Sequence, residues 1–181
     1  MALRDQIDKD FCFDRIRKIQ QEYRKILIGI DETGDELIRD LLATCADSSG
    51  LGIAAPQVGE SLRVVIIASA PCLPYPQAPR MEPTPMINAR IVERSEKKRP
   101  GWEGCLSIPG LRGLVPRHTW VKVDFIDRTG KLRKMRLAGF PAVIMQHELD
   151  HLNGIVFTDR VNPTTLVTEK EYHRILAKKK K

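Results

Sequence analysis

The stretch Pro141–His151, Pro-Ala-Val-Ile-Met-Gln-His-Glu-Leu-Asp-His, predicts a buried helix that carries two histidines. Proline suits the first turn of a helix, and apolar residues follow it. His147 and His151 are four residues apart, so they lie one turn apart on one face, and their ring nitrogens can hold one metal ion. Glu148 lies about 100° further round the helix, where it can accept or donate a proton without being a metal ligand. Two histidines packed in a core beside a solvated glutamate are the alternative interpretation.

A metal ion held by two histidines needs another protein ligand, because catalytic sites usually have three protein ligands plus a water. His118 and His173 are candidates without a supporting sequence context. Cys105 has such a context, since it lies in Trp-Glu-Gly-Cys-Leu-Ser (102–107), where flanking glycines mark an unusual backbone. A Cys/His/His set favours a divalent transition metal. A buried structural cysteine is the commoner outcome for this segment taken by itself.

A third segment, Gly-Leu-Gly-Ile-Ala-Ala-Pro-Gln (50–57), combines small residues with one polar side chain, that of Gln57. A tight loop in which Gln57 caps backbone groups is one interpretation. A dinucleotide-binding loop is rejected, because the Gly-x-Gly follows a predicted helix rather than a strand and lacks the third glycine.

The rest of the chain predicts helices around a set of strands. Apolar residues at spacings of three and four predict helices over 1–30 and 35–47, and a last amphipathic stretch covers 165–177. Strands are predicted at 63–68, 86–92, 115–125 and, after a turn at 127–130, 131–137. Residues 71–85 carry six of the twelve prolines and are predicted to be a surface loop without regular structure. Strands in the middle and helices at both ends predict an α+β fold.

The composition is that of a globular protein, with 42% hydrophobic and 29% charged residues among 181. It excludes collagen-like, disulfide-scaffold and wholly disordered classes. No stretch approaches the roughly 18 apolar residues that a membrane span needs, and the N-terminus does not resemble a secretory signal. The four cysteines form no C-x-x-C pair, so we expect a reducing compartment and no disulfides.

The net charge of +7 first suggests an anionic partner. Four of the 30 basic residues are the terminal Lys178–Lys181, and without them 26 basic residues face 23 acidic ones. A basic RNA- or ribosome-binding module is therefore one alternative function, and specific DNA binding is not expected. It would rest on the tail and on Arg128, Lys131, Arg133, Lys134 and Arg136, but the chain lacks an aromatic stacking pattern and an RNA-binding signature.

Together, the three segments resemble the signature motifs of the peptide deformylase family. Those motifs are G-x-G-x-A-A-x-Q (here 50–57), E-G-C-L-S (103–107) and H-E-x-D-H (147–151), and the similarity covers about residues 35–162. The resemblance implies a hydrolase that removes the formyl group from the N-terminal formyl-methionine of nascent polypeptides and releases formate. It implies sheets around a central helix that carries the histidines. It divides the chain into an N-terminal helical extension (1–34), a catalytic domain (35–162) and a C-terminal helix with a basic tail (163–181).

The resemblance also implies a role for each site residue. Cys105, His147 and His151 would bind one divalent metal ion, ferrous iron first, with zinc, nickel or cobalt able to replace it. The metal would supply hydroxide for attack, and Glu148 would transfer the proton to the departing amine. The Gln57 amide and the Leu106 backbone N–H would stabilise the oxyanion.

The implied substrate-binding residues are Gly50, Leu51, Gly52, Glu103, Gly104, Arg112, Phe140, Val143 and Ile144. Phe140, Val143 and Ile144, with His147, would line the methionine pocket, although ordinary core packing explains apolar helix positions equally well. Glu103 is expected to pair with Arg117. Asp150 is expected to have a structural role.

Three features depart from the family, and three questions stay open. Residues 1–30 lack the usual Tyr-Pro-Asp-like turn, the loop at 71–85 is long, and Ala89 stands where proline is common.

A protease of the H-E-x-x-H type is the rival enzyme, but it would need a later ligand such as His173 and would leave Cys105 unused. The basic C-terminal helix could dock on ribosomal RNA or be a solvated tail. The bacterial cytoplasm is the expected location, with an organellar form left open.

Overall fold

A computed structural model of the chain describes residues 32–48, 50–72 and 75–178. The helix predicted over 1–30, nearly all of the N-terminal extension and the last three lysines lie outside the described residues. The described residues form two antiparallel sheets and three α-helices, which confirms the predicted α+β fold. None of the helices in this described part is long and apolar enough to cross a membrane.

The helices are α1 (Glu32–Asp47), α2 (Phe140–His151) and α3 (Glu169–Lys178). The strands are β1 (Gly52–Ala54), β2 (Val64–Ser69), β3 (Met81–Arg94), β4 (Lys98–Cys105), β5 (Ile108–His118), β6 (Trp120–Ile126), β7 (Leu132–Ala138) and β8 (Val167–Thr168). The larger sheet has the order β1-β2-β3-β6-β7, and the smaller sheet has the order β4-β5-β8.

Strand β2 lies at the centre of the core because both of its faces are covered. Ile66 belongs to the cluster that α1 covers, together with Ile38, whereas Ile67 packs in the cluster that contains Met145 of α2. All six residues of β2 are buried, which explains why the first five, Val64 to Ala68, are continuously apolar rather than alternating. Helix α2 packs on β2, β1 and β7 of the large sheet and on β5 of the small one. The histidine-bearing helix is therefore held between the two sheets.

The β4–β5 hairpin forms most of the small sheet and was not predicted. Its prolines and glycines interrupt the alternation of apolar and polar residues that predicts a strand. The register pairs Glu103 with Gly113 and Cys105 with Ile108, with an irregularity between Glu103 and Cys105. The single strand predicted at 115–125 is also wrong, because β5 ends at His118 and β6 begins at Trp120. This hairpin places Cys105 at the end of β4, beside the histidine-bearing helix.

The prediction of an irregular loop over 71–85 is wrong in its second half, where β3 begins at Met81. Pro85 pairs with Ile66 of β2, whereas the pairing of β3 with β6 begins only at Ile87. The first part of β3 is thus bonded on one side, and proline is tolerated on such an edge because it lacks a backbone N–H. The residues before it, around the Cys72–Tyr75 bridge, fold over the cavity described below.

The C-terminal segment is joined to the small sheet. Strand β8 pairs with β5 through Leu111–Thr168 and Arg112–Val167, and α3 begins directly after it at Glu169. The predicted helix at 165–177 is correct in position but begins four residues later than expected. Its first turn therefore reaches the functional cavity.

Candidate metal centre and active-site cavity

Three potential metal ligands converge between α2 and the end of β4. The Cys105 Sγ lies 3.3 Å from the His151 Nε2, and that nitrogen lies 3.2 Å from the His147 Nε2. All three ligand atoms lie within 4.8 Å of one another. A tetrahedral ion with metal–nitrogen distances of about 2.0 Å and a metal–sulfur distance of about 2.3 Å separates its ligand atoms by about 3.3 to 3.6 Å. The three side chains therefore fit one metal ion.

The chemistry of these side chains also fits a transition metal. Burial opposes a charge on the Cys105 thiol, but His151 and His147 outweigh it and hold its pKa well below the ordinary value. Burial likewise opposes a charge on His147, but Cys105 and Glu103 hold the pKa of His147 well above its usual range. A metal ion that displaced the proton from His147 would meet one thiolate and two imidazoles. That ligand set favours iron, zinc, nickel or cobalt over magnesium or calcium, which prefer oxygen ligands.

A buried chain of ion pairs orients His147. The His147 Nδ1 lies 2.9 Å from a Glu103 carboxylate oxygen, and the Arg117 guanidinium donates to both Glu103 oxygens at 2.7 and 3.0 Å. The predicted Glu103–Arg117 pair is therefore confirmed. Arg117 also donates to Asp150 at 2.6 Å, and Asp150 accepts two bonds from Arg160. Glu103 thereby fixes the ring so that Nε2 faces the ligand cluster.

The charges in this chain depend on one another. Burial would raise the pKa of Glu103, but the hydrogen bonds from Arg117 and His147 lower it to about 2. Burial would lower the pKa of Arg117, but Glu103 and Asp150 raise it above its usual range. Both side chains are about 4% exposed. The pair is thus ionised in the interior, where losing either partner would leave an uncompensated charge.

Gln57 is held with its amide nitrogen towards the metal ligands. Its Oε1 accepts a hydrogen bond from the Ala54 backbone N–H at 2.9 Å, which fixes the orientation of the amide. Its Nε2 then lies 3.7 Å from the Cys105 Sγ and 3.1 Å from the Ser107 Oγ. Gln57 is buried in a short 3-10 turn, Ala55–Val58, directly after β1. The small residues of the segment therefore position one polar donor.

Glu148 is buried beside the ligand cluster, with no hydrogen-bond partner for its Oε2 among the described residues. Burial raises the pKa of Glu148 to about 7, the two histidines oppose this rise, and Cys105 and Glu103 add to it. A side chain at position 52 would overlap the Glu148 carboxylate, so Gly52 is required there. A carboxyl group with this pKa can exchange protons near neutral pH.

A cavity of about 460 Å³ opens over these groups. Gln57, Cys105, Leu106, His147 and Glu148 all line it, whereas His151 is completely buried beneath. The predicted substrate-binding residues also line it: Gly50, Leu51, Gly52, Glu103, Gly104, Arg112, Phe140, Val143 and Ile144. The structure thus brings every predicted site residue except His151 to the lining of one cavity, and their roles stay predictions.

Sequence reasoning missed part of this cavity's wall. Tyr75 lines it and stacks on Phe140, with ring centroids 4.0 Å apart and an interplanar angle of 15°. The Tyr75 hydroxyl lies over Gly101, where any side chain would overlap it. The presence of an aromatic residue within the proline-rich segment was the sequence feature that could have indicated this contact. Cys72 and Trp102 also line the cavity.

Helix α3 contributes a further lining residue that the sequence did not predict, Glu169. Its carboxylate accepts hydrogen bonds from Arg112 at 2.8 and 3.2 Å, which holds the guanidinium against Gly104 at the cavity's edge. Arg112 also lies over the ring of Tyr172, the buried residue of α3. No sequence motif linked these residues, because they lie 57 positions apart.

The residues after His151 do not join the ligand cluster. Among the described residues, the group that could hold a metal ion consists of Cys105, His147 and His151. His173, the later ligand that a protease of the H-E-x-x-H type would need, instead lies 3.3 Å from Glu169 on the exposed side of α3. This geometry disfavours the protease alternative.

Comparisons with known sequences agree with this arrangement. The sequence profile described as Polypeptide deformylase matches residues 11–166. The chain is 52% identical over 152 residues to Peptide deformylase 2 of Nostoc sp., covering 83% of this chain and 85% of that protein. It is 43% identical over 128 residues to Peptide deformylase 1 of Nitrosomonas europaea, covering 71% of this chain and 73% of that one.

Solved structures show the same fold. The class I type b peptide deformylase from Acinetobacter baumannii, bound to Met-Ala-Ser, matches with a TM-score of 0.71 and 40% identity, covering 82% of this chain and 92% of that chain. The peptide deformylase from Synechococcus elongatus in complex with actinonin matches with a TM-score of 0.69 and 33% identity, covering 80% and 74%. The chain therefore belongs to the polypeptide deformylase family, metal-dependent hydrolases that remove the formyl group from nascent polypeptides.

Proposed function

We propose that this deformylase holds one divalent metal ion, ferrous iron in the cell, on Cys105, His147 and His151. The convergence of these three ligand atoms beside a buried glutamate is the observation that carries the proposal. A metal ion bound there would act as a Lewis acid that polarises the formyl carbonyl and lowers the pKa of a water molecule. Zinc, nickel or cobalt would fit the same three atoms.

Glu148 serves as the general base and acid. Its pKa of about 7 suits a group that first accepts a proton from the attacking water and then delivers it to the departing amine. The packing of Gly52 against the carboxylate limits the directions in which Glu148 can turn. The proton therefore moves between fixed positions, which lowers the entropic cost of the step.

The Gln57 amide and the Leu106 backbone N–H stabilise the oxyanion that forms on the formyl oxygen. The hydrogen bond from the Ala54 N–H to the Gln57 Oε1 leaves the Nε2 as the donor on the cavity side. Leu106 lines the same cavity directly after Cys105. Removing one such donor typically lowers the rate by about 10² to 10³.

The methionine side chain occupies the apolar part of the cavity, against Phe140, Val143 and Ile144. The peptide that follows it runs past Gly50, Leu51 and Arg112. The Met-Ala-Ser tripeptide bound to the Acinetobacter baumannii relative is the type of ligand that this cavity is proposed to take. The Arg112 guanidinium, held by Glu169 at the cavity's edge, is positioned to meet peptide carbonyl groups.

The enzyme works in the bacterial cytoplasm, on chains that are still being synthesised, and its basic C-terminal helix docks it on the ribosome. Lys170, Arg174 and Lys178 supply positive charge on α3. Deleting residues 178–181 should reduce co-sedimentation with ribosomes while turnover of short peptides stays intact. Unchanged co-sedimentation would show that the tail does not dock the enzyme on the ribosome.

Formate release from formyl-Met-Ala-Ser tests the reaction and the metal together. Protein purified without oxygen should contain iron and release formate, and Cys105→Ser should lose both properties because the thiolate ligand is replaced. Ser107→Ala, which keeps the three ligand atoms, is the control and should retain the metal. Cleavage of internal peptide bonds without formate release would instead assign the site to a protease.

A further inference from the structure

A second cavity, of about 340 Å³, lies behind the histidine-bearing helix. Gln146, Leu149 and Asp150 of α2 line it, whereas His147 and Glu148 line the active-site cavity on the other side of the helix. Its remaining walls come from β3, the beginning of β4 and the end of β5, and from Arg63 before β2 and Asn153 and Arg160 after α2. The two cavities share no lining residue. The second cavity is therefore a separate site from the catalytic one.

Basic side chains dominate this cavity, which we call the basic cavity. Its cationic lining residues are Arg63, Arg90, Arg94, Lys98, Arg117 and Arg160. Among its described lining residues Asp150 is the one carboxylate, and it is already bonded to Arg117 and Arg160. Just outside the lining, Glu103 pairs with Arg117 and Asp124 lies 3.6 Å from Arg90, so three carboxylates face six cations. Arg94 and Lys98 are exposed and form no ion pair with any residue in the part of the chain that the structure describes. The cavity therefore carries a surplus of positive charge.

This surplus has an energetic consequence. Cations gathered around a concave surface repel one another, and the cavity walls concentrate their potential. The repulsion raises the free energy of the folded protein unless an anion occupies the cavity. An arrangement of this kind favours binding of phosphate groups, because guanidinium and ammonium groups are the usual partners of phosphate oxygens.

The positions of the cations favour a chain of phosphates over a single small anion. The Arg90 side chain is 72% exposed and that of Arg160 is 42% exposed, so both stand at the rim rather than converging at the bottom. The residues on either side of Lys98, Lys97 and Arg99, are also exposed, next to one exposed acidic residue, Glu96. Cations spread along a rim can each contact a different phosphate of a polymer.

The concave shape of the cavity and the origin of the enzyme's substrates favour an RNA backbone as its occupant. None of the described lining residues is Phe, Tyr or Trp, so the cavity offers backbone contacts rather than base stacking. A concave site fits a curved strand better than a flat bilayer. The substrates of the enzyme are nascent chains, which emerge from a particle that consists largely of RNA.

We propose that the basic cavity binds the phosphodiester backbone of RNA without sequence preference. The site lies on the side of α2 opposite to the active-site cavity, so bound RNA would leave the substrate entrance open. The inference does not depend on the metal site or on the C-terminal tail. It can therefore fail while the proposed function holds, and the reverse is also true.

Fluorescence anisotropy of a fluorescein-labelled RNA hairpin tests this proposal on the full-length protein. Wild-type protein should bind the hairpin, with log K falling linearly as log salt rises. The double variant Arg94→Glu/Lys98→Glu should weaken binding at least about tenfold and reduce the salt slope by about two, one for each lost phosphate contact. Turnover of formyl-Met-Ala-Ser should be unchanged, which shows that the variant is folded.

The matched control is Lys131→Glu/Lys134→Glu on the β6–β7 hairpin, which changes the net charge by the same amount away from the basic cavity. It should retain most of the RNA affinity. Equal weakening by both double variants, or no binding by wild-type protein, overturns the proposal. Binding to phosphatidylserine vesicles that depends on Arg94 and Lys98, without RNA binding, would assign the cavity to a membrane surface. Stabilisation by inorganic phosphate alone, without RNA binding, would assign it to a small anion.

Discussion

The active-site cavity has two walls that are built in different ways. The polar wall, around Cys105, Glu103 and Gln57, is held by hydrogen bonds and ion pairs of 2.6 to 3.3 Å between buried groups. The apolar wall, around Tyr75 and Phe140, is held by ring stacking and packing. Directed bonds fix single atoms, whereas packing fixes only a shape. We therefore expect changes in the polar wall to affect chemistry and stability strongly, and changes in the apolar wall to affect selectivity.

The largest effect is expected for Glu148→Ala in the polar wall. Removing the group that transfers the proton should lower kcat by about 10² to 10⁴. The metal content should stay unchanged, because the three ligand atoms remain. Formate release and metal analysis of the purified variant measure the two quantities. Normal deformylation by this variant would show that Glu148 is not the proton-transfer group.

Arg117→Met tests whether the ion-pair chain holds the polar wall together. It leaves the buried carboxylates of Glu103 and Asp150 without this partner, so the free energy of unfolding should fall by about 3 to 5 kcal/mol. Metal affinity should fall by about 10- to 100-fold, because Glu103 would no longer be fixed against His147. Urea denaturation and competition with a chelator measure these effects.

The control for this variant is Arg128→Met, which breaks an exposed pair with Asp35 in which both side chains are about 40% exposed. That loss should cost less than about 1 kcal/mol. Similar costs for the two variants would contradict the distinction between buried and exposed pairs.

Tyr75→Ala tests the apolar wall. Without the ring that stacks on Phe140, the cavity should be wider, so kcat/KM for a formyl-Met peptide should fall by about tenfold, in the range expected for lost pocket contacts. Formyl-Phe peptides should lose much less. Tyr75→Phe keeps the ring and removes a hydroxyl that has no hydrogen-bond partner among the described residues, so it should behave like wild type. If the ratio of kcat/KM values for the formyl-Met and formyl-Phe peptides is the same in Tyr75→Ala as in wild type, Tyr75 does not determine substrate selectivity.

The smallest effect is expected for Glu169→Gln, at the exposed edge where the two walls meet. The variant removes the charge that holds Arg112, so KM for short peptides should rise by a few-fold while kcat changes little. The cost in stability should stay below about 1 kcal/mol because the pair is partly exposed. Glu171→Gln, which breaks the exposed pair with Arg174 on the same helix, should leave KM unchanged. Equal KM values for wild type and Glu169→Gln would show that Glu169 does not contribute to substrate binding.

The same pair predicts a pH dependence. The hydrogen bond from Arg112 lowers the pKa of Glu169 below its ordinary value of 4.5. A lowered carboxyl pKa means that the pair stabilises the fold above pH 4.5 and loses this contribution as the pH falls through the lowered value. The difference in Tm between wild type and Glu169→Gln should therefore disappear on acidification. A difference that grows with acidity would contradict this sign.

The two walls also differ in how far the sequence could predict them. Helical spacing requires His147 and His151 to share a face, and the resemblance of the three segments to the deformylase motifs added Cys105, so the three-residue cluster was expected before the structure. Tyr75 was not, because its stacking on Phe140 joins a proline-rich segment to a helix far along the chain. Motifs encode directed chemistry over short spacings, whereas packing between distant segments leaves no local pattern.

The fold shows the same limit. Strand β2 is apolar except for its last residue, Ser69, and was predicted within one residue at each end. Strand β4 contains Pro100 and Gly101, which are rare inside strands, so it was missed although it carries the cysteine motif. The pairing of β4 with β5 compensates for this weak local preference.

The contact between Gly101 and Tyr75 has a consequence for how this enzyme can change during evolution. A side chain at position 101 would occupy the space of the Tyr75 hydroxyl, and loss of the Tyr75 ring would leave a gap beside Phe140. A larger residue at position 101 requires a shorter side chain at position 75, and loss of the Tyr75 ring favours a larger residue at position 101. We therefore expect relatives to conserve the total volume of the two side chains rather than either residue, so that substitutions at 75 and 101 are inherited as a pair.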